Sequence, residues 1–463
     1  MDLELRRYYN DLLYKAEKKE NDKDDKNIMN GRMMYNLVIG NKSADLDSIV
    51  SAITYSRILN LINNTINFDE NNKIYGIHLP VINCNRNELK LKFPLIALIN
   101  YFSNNQDNDS GDDFQIENMP FICLDDDIIN ELILEMEKLD NEKKHVNFGH
   151  YITLVDHNTL DTFQKNFNER VVSIVDHHQD YMTTKSNYRL SLGTNIGSCS
   201  TLIGKIWRDS YEKGKINQQT LIENKIFLEM IVCTILKDTC NFNQKLSGKR
   251  WSSLDLEVYN WIIEILSLIE KNNEEIISKK YTDLYINFLK NANRNIDIIF
   301  NNELIELFKM DYKDFIYNNK FGNEVVIIGY SSFEIDLLEI IKHYKENFQT
   351  DIKNFILNNK LNLFIILSNY IYKTEDHQNE EMKKKIIISY INNDHSQVQN
   401  LHNLVIKCLE TTIPVTEIKM ESVITEFNIP ELSLKLFNIH DMSFSRKKLE
   451  PFVKDIINNK LRF

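Results

Sequence analysis

Short apolar runs recur along the first half of the chain, and each stops abruptly at polar residues. Asn36-Leu37-Val38-Ile39 breaks at Gly40, passes through Asn41-Lys42-Ser43-Ala44-Asp45-Leu46-Asp47-Ser48, and resumes as Ile49-Val50-Ser51-Ala52-Ile53 with helical spacing. This pattern predicts a strand, a turn and a helix start. Ile74 to Ile82 reads as a second strand and Pro120 to Leu124 as a third. His150 to Val155 runs into Asp156-His157-Asn158, Val171 to Val175 runs into Asp176-His177-His178, and Met230 to Leu236, also sheet-like, precedes Lys237-Asp238-Thr239. Alternation of such runs with helical segments through residue 245 predicts an α/β fold: a mostly parallel, doubly wound sheet covered on both faces. Between Phe242 and Ile277 the period becomes helical, with Trp251, Leu254, Leu256, Val258, Trp261, Ile262 and Leu266 on a continuous apolar face. Strand signals return at Val325–Gly329, Leu363–Leu367 and Ile386–Ser389. The expected organisation is an N-terminal helix and charged connector (1–30), a first domain (31–245), a linker helix (246–277) and a smaller α/β domain (278–463) across a cleft that can open and close.

The polar residues that end these runs carry the chemistry. In an open α/β sheet, ligands bind just past the carboxyl ends of the strands, where the next helix offers free N–H groups to an anion. Carboxylates at that place gain nothing by packing, because their desolvation is costly unless a cation sits among them. Asp45 and Asp47 therefore read as metal ligands, and the later segments would bring Asp156, His177, His178 and Asp238 to the same rim. Hard oxygen ligands with one or two imidazoles suit Mn²⁺ or Mg²⁺ better than Zn²⁺. A pair of such ions about 3.5–4 Å apart is the usual device for in-line attack of water on phosphorus.

Composition narrows the partners. The chain has 463 residues, 43% of them hydrophobic and 26% charged, with a net charge of −12. Such a body repels nucleic acid and anionic membrane, whereas bound dications could still admit a polyanionic substrate. The six cysteines are scattered, with no CxxC pair, and read as reduced packing residues of a cytoplasmic protein. No run reaches the ~18 apolar residues of a membrane span, and Met1 to Lys15 lacks the apolar core of a signal peptide. Residues 1–17 form an amphipathic pattern, with Leu5, Tyr8, Tyr9, Leu12 and Leu13 on one side, expected to pack on its own domain. Lys15 to Asn30 reads as a solvated connector, and the Asn-rich stretches 63–72, 103–118 and 371–380 as surface insertions. Arg86, Glu88, Lys90 and Lys92 either face an anionic chain or form a solvated face. Asp125-Asp126-Asp127 reads as the cap of a following helix rather than a metal site.

Seven segments taken in order resemble the motifs of the DHH phosphoesterases: Gly40 to Ser48, Asp156-His157-Asn158, Asp176-His177-His178, Gly197-Ser198-Cys199-Ser200-Thr201, Asp238-Thr239, Lys309-Met310-Asp311-Tyr312-Lys313, and Ser445-Arg446-Lys447-Lys448-Leu449-Glu450-Pro451. Within that superfamily the chain is most similar to the cytosolic exopolyphosphatases of the yeast type, with prune-like proteins and family II inorganic pyrophosphatases further off. The resemblance covers residues 30 to 460 with gaps.

The resemblance implies roles. Asp47, Asp156, His177 and Asp238 would surround one metal ion, and Asp45 with a bridging Asp156 would hold the second. His178 would contact a phosphoryl oxygen or protonate the leaving phosphate. Asn41 stands where the pyrophosphatases have histidine, which implies a loosely held second ion, Mg²⁺ recruited with the substrate, and an amide near that substrate. His157 is expected to point away from the ligand set. Gly197 to Ser200 would support the metal-binding edge, with phosphate contact as the other reading. Lys313, Arg446 and Lys447 would grip phosphate from the DHH-associated second domain. The implied activity is hydrolysis of terminal orthophosphate from inorganic polyphosphate. The alternatives are a prune-like hydrolase of short polyphosphates or cyclic nucleotides, a pyrophosphatase, and an inactive scaffold. Oligomeric state has no signature in the sequence.

Overall fold

The structure, a computed structural model, describes residues 2–21, 34–62, 65–67, 73–104, 116–141, 150–160, 164–180, 182–191, 195–318, 325–345, 347–373, 380–392, 396–423 and 429–459. Most of the three Asn-rich stretches lies outside these residues. The chain divides into two compact units, Met1–Ala292 and Asn293–Phe463.

The first unit is built on strands β1 (Met34–Ile39), β2 (Thr65–Asn67), β3 (Lys73–Ile82), β4 (Ile122–Cys123), β5 (Tyr151–Val155), β6 (Val171–Val175) and β7 (Tyr188–Leu190). Their order is β2-β3-β1-β5-β6-β7, with β4 beside the end of β3. Six of these strands are mutually parallel; β2 joins β3 antiparallel. Every residue of β1, β5 and β6 is buried, the continuous apolar character of strands covered by other layers. From β1 the chain steps to β3 on one side and then returns to β5 on the other, so the β1/β5 boundary is the topological switch point, where ligand crevices open.

The helices of this unit are α1 (Asp2–Asn21), α2 (Leu46–Ile62), α3 (Phe93–Asn104), α4 (Asp127–Asn141), α5 (Cys199–Glu212), α6 (Gln218–Glu223), α7 (Lys225–Asp238), α8 (Ser253–Glu270) and α9 (Glu274–Leu284). Helix α1 packs on its own unit as expected: Leu5, Tyr8, Tyr9 and Leu12 are buried, and the Tyr8 hydroxyl lies 3.1 Å from Ser56 Oγ. The side chain of Leu13 lies outside the described residues. One expectation is overturned. Met230 to Leu236 is not sheet-like but the middle of α7, buried from Ile226 to Leu236. A run enclosed on all sides, here by α2, α5, α8 and α9, shows no polar face, and hydrophobic period alone does not separate a buried helix from a buried strand. Asp238 therefore closes a helix, not a strand. The apolar helix expected between Phe242 and Ile277 is α8, and the turns before it carry positive φ at Cys240, Asn241 and Phe242.

The second unit carries a mixed six-stranded sheet of β8 (Tyr312–Asn318), β9 (Val325–Phe333), β10 (Leu363–Lys373), β11 (Glu380–Ile391), β12 (Val415–Ile418) and β13 (Leu432–Ile439), in the order β12-β13-β11-β10-β9-β8. Only β9 and β10 are parallel. Helices α10 (Ile296–Ile299), α11 (Leu304–Leu307), α12 (Leu337–His343), α13 (Phe348–Asn358), α14 (Ser396–Thr412) and α15 (Arg446–Asn459) accompany it. Leu401, Val405 and Leu409 of α14 and Leu449, Val453 and Ile456 of α15 complete its core.

That core holds His402, 2% exposed, its ring 4.5 Å from that of Tyr390, with neither ring nitrogen in a well-formed hydrogen bond. Burial lowers its pKa to about 4, outweighing weak contacts that raise it. Between the ordinary value near 6.5 and about 4, the unfolded chain takes up a proton that the folded chain refuses. Stability should therefore fall by about 1.4 kcal/mol per pH unit on acidification across that window. Urea unfolding at pH 7 and pH 5 should show this loss in the wild type and not in His402→Phe; equal losses in both would refute it.

Candidate metal centre

Strand β1 delivers the first group of residues. A Cβ added at Gly40 would lie 2.2 Å from Ser48 Oγ and 2.9 Å from the Ser48 carbonyl oxygen, so glycine lets the first turn of α2 close over the strand end. The Asn41 N–H donates to Ser48 Oγ at 2.5 Å. Asp45 is exposed and accepts the Ser48 N–H at 3.0 Å. Asp47, in the first turn of α2, is buried against the N-terminus of α5. Its Oδ1 accepts from Ser198 Oγ (2.7 Å), the Ser200 N–H (2.8 Å) and Ser200 Oγ (2.7 Å), and its Oδ2 from the Cys199 N–H (2.6 Å). A carboxylate there meets unpaired N–H groups and the positive end of the helix dipole.

Asp156, at the end of β5, stands in the left-handed region with φ 61°. Strain of this kind in a non-glycine residue concentrates at functional sites. Its Oδ2 accepts from Asn41 Nδ2 at 2.5 Å. Its Oδ1 is 3.2 Å from His177 Nε2 and 3.6 Å from His178 Nδ1, yet accepts no well-formed hydrogen bond. Burial first, then the charges of Asp47 and Asp45, push the Asp156 carboxyl well above its ordinary range, against the pull of His177. Asp238 behaves alike: burial and Asp47 push it up to about 7, and its Oδ2 is shut from solvent without a donor.

The two histidines differ in what holds them. His177 Nδ1 lies 2.8 Å from the Ile196 carbonyl, which assigns a proton to Nδ1 and turns Nε2 toward Asp156 Oδ1 and, at 3.9 Å, Asp47 Oδ2. A ligand histidine is held in this way, through its other nitrogen on a backbone carbonyl. His178 Nδ1 lies 2.7 Å from Asp176 Oδ1, and Asp176 Oδ2 accepts Asn158 Nδ2 at 2.6 Å. Burial alone would raise Asp176, but the His178 imidazole overrides it and holds the carboxyl below the usual carboxylate range. Ligand-capable atoms of Asp156, Asp176, His177 and His178 all lie within 4.8 Å of one another.

These residues fit a hard divalent cation. Two buried carboxylate oxygens lack donors, His177 Nε2 lies 3.2 Å from one of them, and the charges of Asp47 and Asp45 press on both Asp156 and Asp238. A proton or a dication relieves that arrangement, and oxygen donors with one imidazole suit the latter.

Residues 36–235 match the DHH family, N-terminal domain, and residues 289–456 match the DHHA2 domain. The chain carries a DHH domain followed by a DHHA2 domain. A Schizosaccharomyces pombe protein provisionally named an exopolyphosphatase is 28% identical over 244 residues, which are 51% of this chain and 52% of that protein. The chain thus matches about half the length of that relative. A crystal structure from Methanococcus jannaschii, titled as a provisional family II inorganic pyrophosphatase, aligns over 92% of this chain and 99% of its own with 17% identity and a TM-score of 0.47.

Within the DHH domain, Asp47, Asp156, His177 and His178 converge directly. Asp45 joins them through the charge it exerts on Asp156, and Asp238 through the charges of Asp47 and Asp45 that act on it. Asn41, expected near substrate, uses both ends of its amide internally, Nδ2 on Asp156 and Oδ1 on Ser43 N–H and Oγ. His157 is held by the Val155 carbonyl and Gln164, away from the ligand atoms. Arg86 is half-buried and its guanidinium is engaged within the fold: it pairs with Asp126 and donates to the carbonyls of Glu117, Met119 and Phe121, and Asp125 accepts its N–H. Lys92 is buried, with Nζ 2.7 Å from the Ser43 carbonyl, bracing the loop after β1.

In the DHHA2 domain Arg446 opens α15, with Nη2 2.8 Å from Asp311 Oδ1 and Nη1 3.2 Å from the Asp311 carbonyl, so the two C-terminal motifs meet at one ion pair. Lys313 lies on β8 opposite Tyr330. The side chain of Lys447 lies outside the described residues. Among the described residues, no helix is long and apolar enough to cross a membrane.

Ser198 and Ser200 hold Asp47, in line with the supporting role expected of Gly197 to Ser200; Asn158 and Asp176 stand in segments the sequence singled out, yet their roles follow only from contacts across the fold.

Proposed function

We propose that this chain is a metal-dependent hydrolase of phosphoric anhydrides that releases terminal orthophosphate from inorganic polyphosphate. The observation that carries this reading is the Asp156 carboxylate, strained and without a donor at Oδ1, facing Nε2 of a His177 anchored through Nδ1. The DHH and DHHA2 matches and the provisionally named exopolyphosphatase relative support it.

In this reading Asp47, Asp156, His177, Asp238 and Asp45 hold two ions, Mg²⁺ or Mn²⁺. Such ions supply Lewis acidity toward a phosphoryl oxygen and acidify water. Asn41 keeps Asp156 aimed, and the N-terminus of α5 keeps Asp47 aimed. His178, with Nδ1 fixed on Asp176, presents Nε2 to give a proton to the leaving phosphate. Lys313, Arg446 and Lys447 are assigned to binding phosphate oxygens, and Asp311 orients Arg446 for that task.

Phosphate release should be assayed with Mn²⁺ or Mg²⁺ on long polyphosphate, tripolyphosphate, pyrophosphate and a cyclic nucleotide. Turnover of long polyphosphate is the expected result. Turnover of pyrophosphate alone, or of tripolyphosphate and cyclic nucleotide alone, would replace it by the pyrophosphatase or prune-like activity. No turnover of any substrate would leave a scaffold.

A further inference from the structure

The 250–255 segment lies between the two family matches, outside both. It is nevertheless built into the metal centre. Asp255, fully buried in the first turn of α8, accepts five hydrogen-bond contacts from four donors. Its Oδ1 accepts Thr201 Oγ1 at 2.6 Å, both of its oxygens accept the Gly197 N–H at 3.0 Å, and Oδ2 accepts the Ser252 N–H (2.8 Å) and Oγ (3.1 Å). One carboxylate thus joins the N-terminal ends of α5 and α8. Asp47 occupies the other side of the same α5 end, on Ser198, Cys199 and Ser200. Next to Asp255, Arg250 Nε donates to the Asp238 carbonyl at 2.7 Å, and a Cβ at Gly197 would strike the Arg250 carbonyl oxygen at 2.8 Å.

We propose that Asp255 is a positioning residue for the metal centre: by gripping Gly197 and Thr201 from behind, it sets the place and direction of the N–H and hydroxyl cradle that aims Asp47. The inference rests on the metal-binding reading above. It follows from how stiff such an arrangement is. A buried carboxylate that lost its donors would carry a large desolvation cost, so Asp255 and its partners move as one body, and Asp47 is bonded to that body by four short contacts. Residues that orient a ligand typically change metal affinity 10- to 100-fold when altered.

Asp255→Asn keeps the size of the side chain but turns a donor toward Ser252. Thr201→Val keeps the shape and removes one donor, and serves if Asp255→Asn fails to fold. Mn²⁺ binding to the metal-free full chain, read from the electron paramagnetic resonance of free Mn²⁺, should weaken about 10- to 100-fold in Asp255→Asn and about fivefold in Thr201→Val. Hydrogen–deuterium exchange of residues 197–201 in metal-free protein should quicken in both. Folded variants with wild-type Mn²⁺ affinity and wild-type exchange would overturn the proposal. If the wild type itself takes up no Mn²⁺, the metal-binding reading falls, and the exchange readout alone decides whether Asp255 positions the cradle.

Discussion

Asp156→Asn is expected to lower phosphate release by at least about a thousandfold, on the order of 4 kcal/mol of barrier, while leaving the fold intact. The substitution is nearly isosteric, and the two oxygens of Asp156 show why it should nevertheless be so costly. Oδ2 is committed to Asn41; Oδ1 has no donor and faces His177 Nε2 and His178 Nδ1 across 3.2 and 3.6 Å. The amide would remove the negative charge from the centre of the cluster. The same substitution has an opposite expected effect on the metal-free fold. Asp156 is buried beside Asp47 and Asp45, which push its carboxyl well above the ordinary range, so neutralising it relieves repulsion, and the variant should melt no lower than the wild type without metal. Added Mn²⁺ should then raise the melting temperature of the wild type and leave that of the variant where it was. The pairing of lost turnover with undiminished metal-free stability distinguishes a functional acid from a structural one. Turnover within tenfold of wild type, or a melting temperature that drops without metal, would remove Asp156 from the centre of the site.

The parts of this centre that were legible in the sequence share one property: they sit where a strand ends. Asp156 follows an apolar run directly, His177 and His178 come one and two residues after Asp176, which follows another, and Asp45 and Asp47 lie in the short turn and first helical turn after a third; a parallel sheet brings such ends to one rim whatever the length of the connections. Asp238 was legible as a residue but not in its setting, because an apolar run buried on every side has no period that separates helix from strand. The supporting residues were legible only in part: Gly197 to Ser200 read as support for this edge, but not which carboxylate they hold, and Asp255 and Arg250 did not show at all. Ser198, Ser200, Asp255 and Arg250 act through hydrogen bonds that depend on the packing of α5 against α2 and α8, and no local pattern encodes which helix end will meet which carboxylate. In the second unit three strands had no clear signal: β8, β12 and β13. β12 is a four-residue edge strand and β13 alternates buried with half-buried residues around charged Lys435, so neither shows the long apolar run that announced β9, β10 and β11. Arg86 shows the converse. Its charge suggested an anionic ligand, whereas three carbonyls and Asp126 already saturate its donors.

His178→Gln should separate proton delivery from metal binding. Turnover of polyphosphate is expected to fall about 10²- to 10⁴-fold, with KM and Mn²⁺ affinity changed by no more than a few fold. The reason lies in how the two neighbouring histidines are held. His177 spends Nδ1 on a carbonyl and turns Nε2 to the acids; His178 spends Nδ1 on the Asp176 carboxylate, which leaves Nε2 as the nitrogen for proton delivery. The imidazole in turn holds Asp176 ionised, below the usual carboxylate range. Asp176→Asn would take away the charge that faces His178 Nδ1 while leaving a hydrogen-bond acceptor, so it should lower turnover in the same direction as His178→Gln but by less. A phosphoryl donor whose leaving group needs no proton provides the sharper test, since the deficit of His178→Gln should shrink with it. If the deficit is equally large for such a donor, His178 acts on the phosphoryl group rather than on the departing oxygen. If Mn²⁺ affinity falls together with turnover, it belongs with the metal ligands instead.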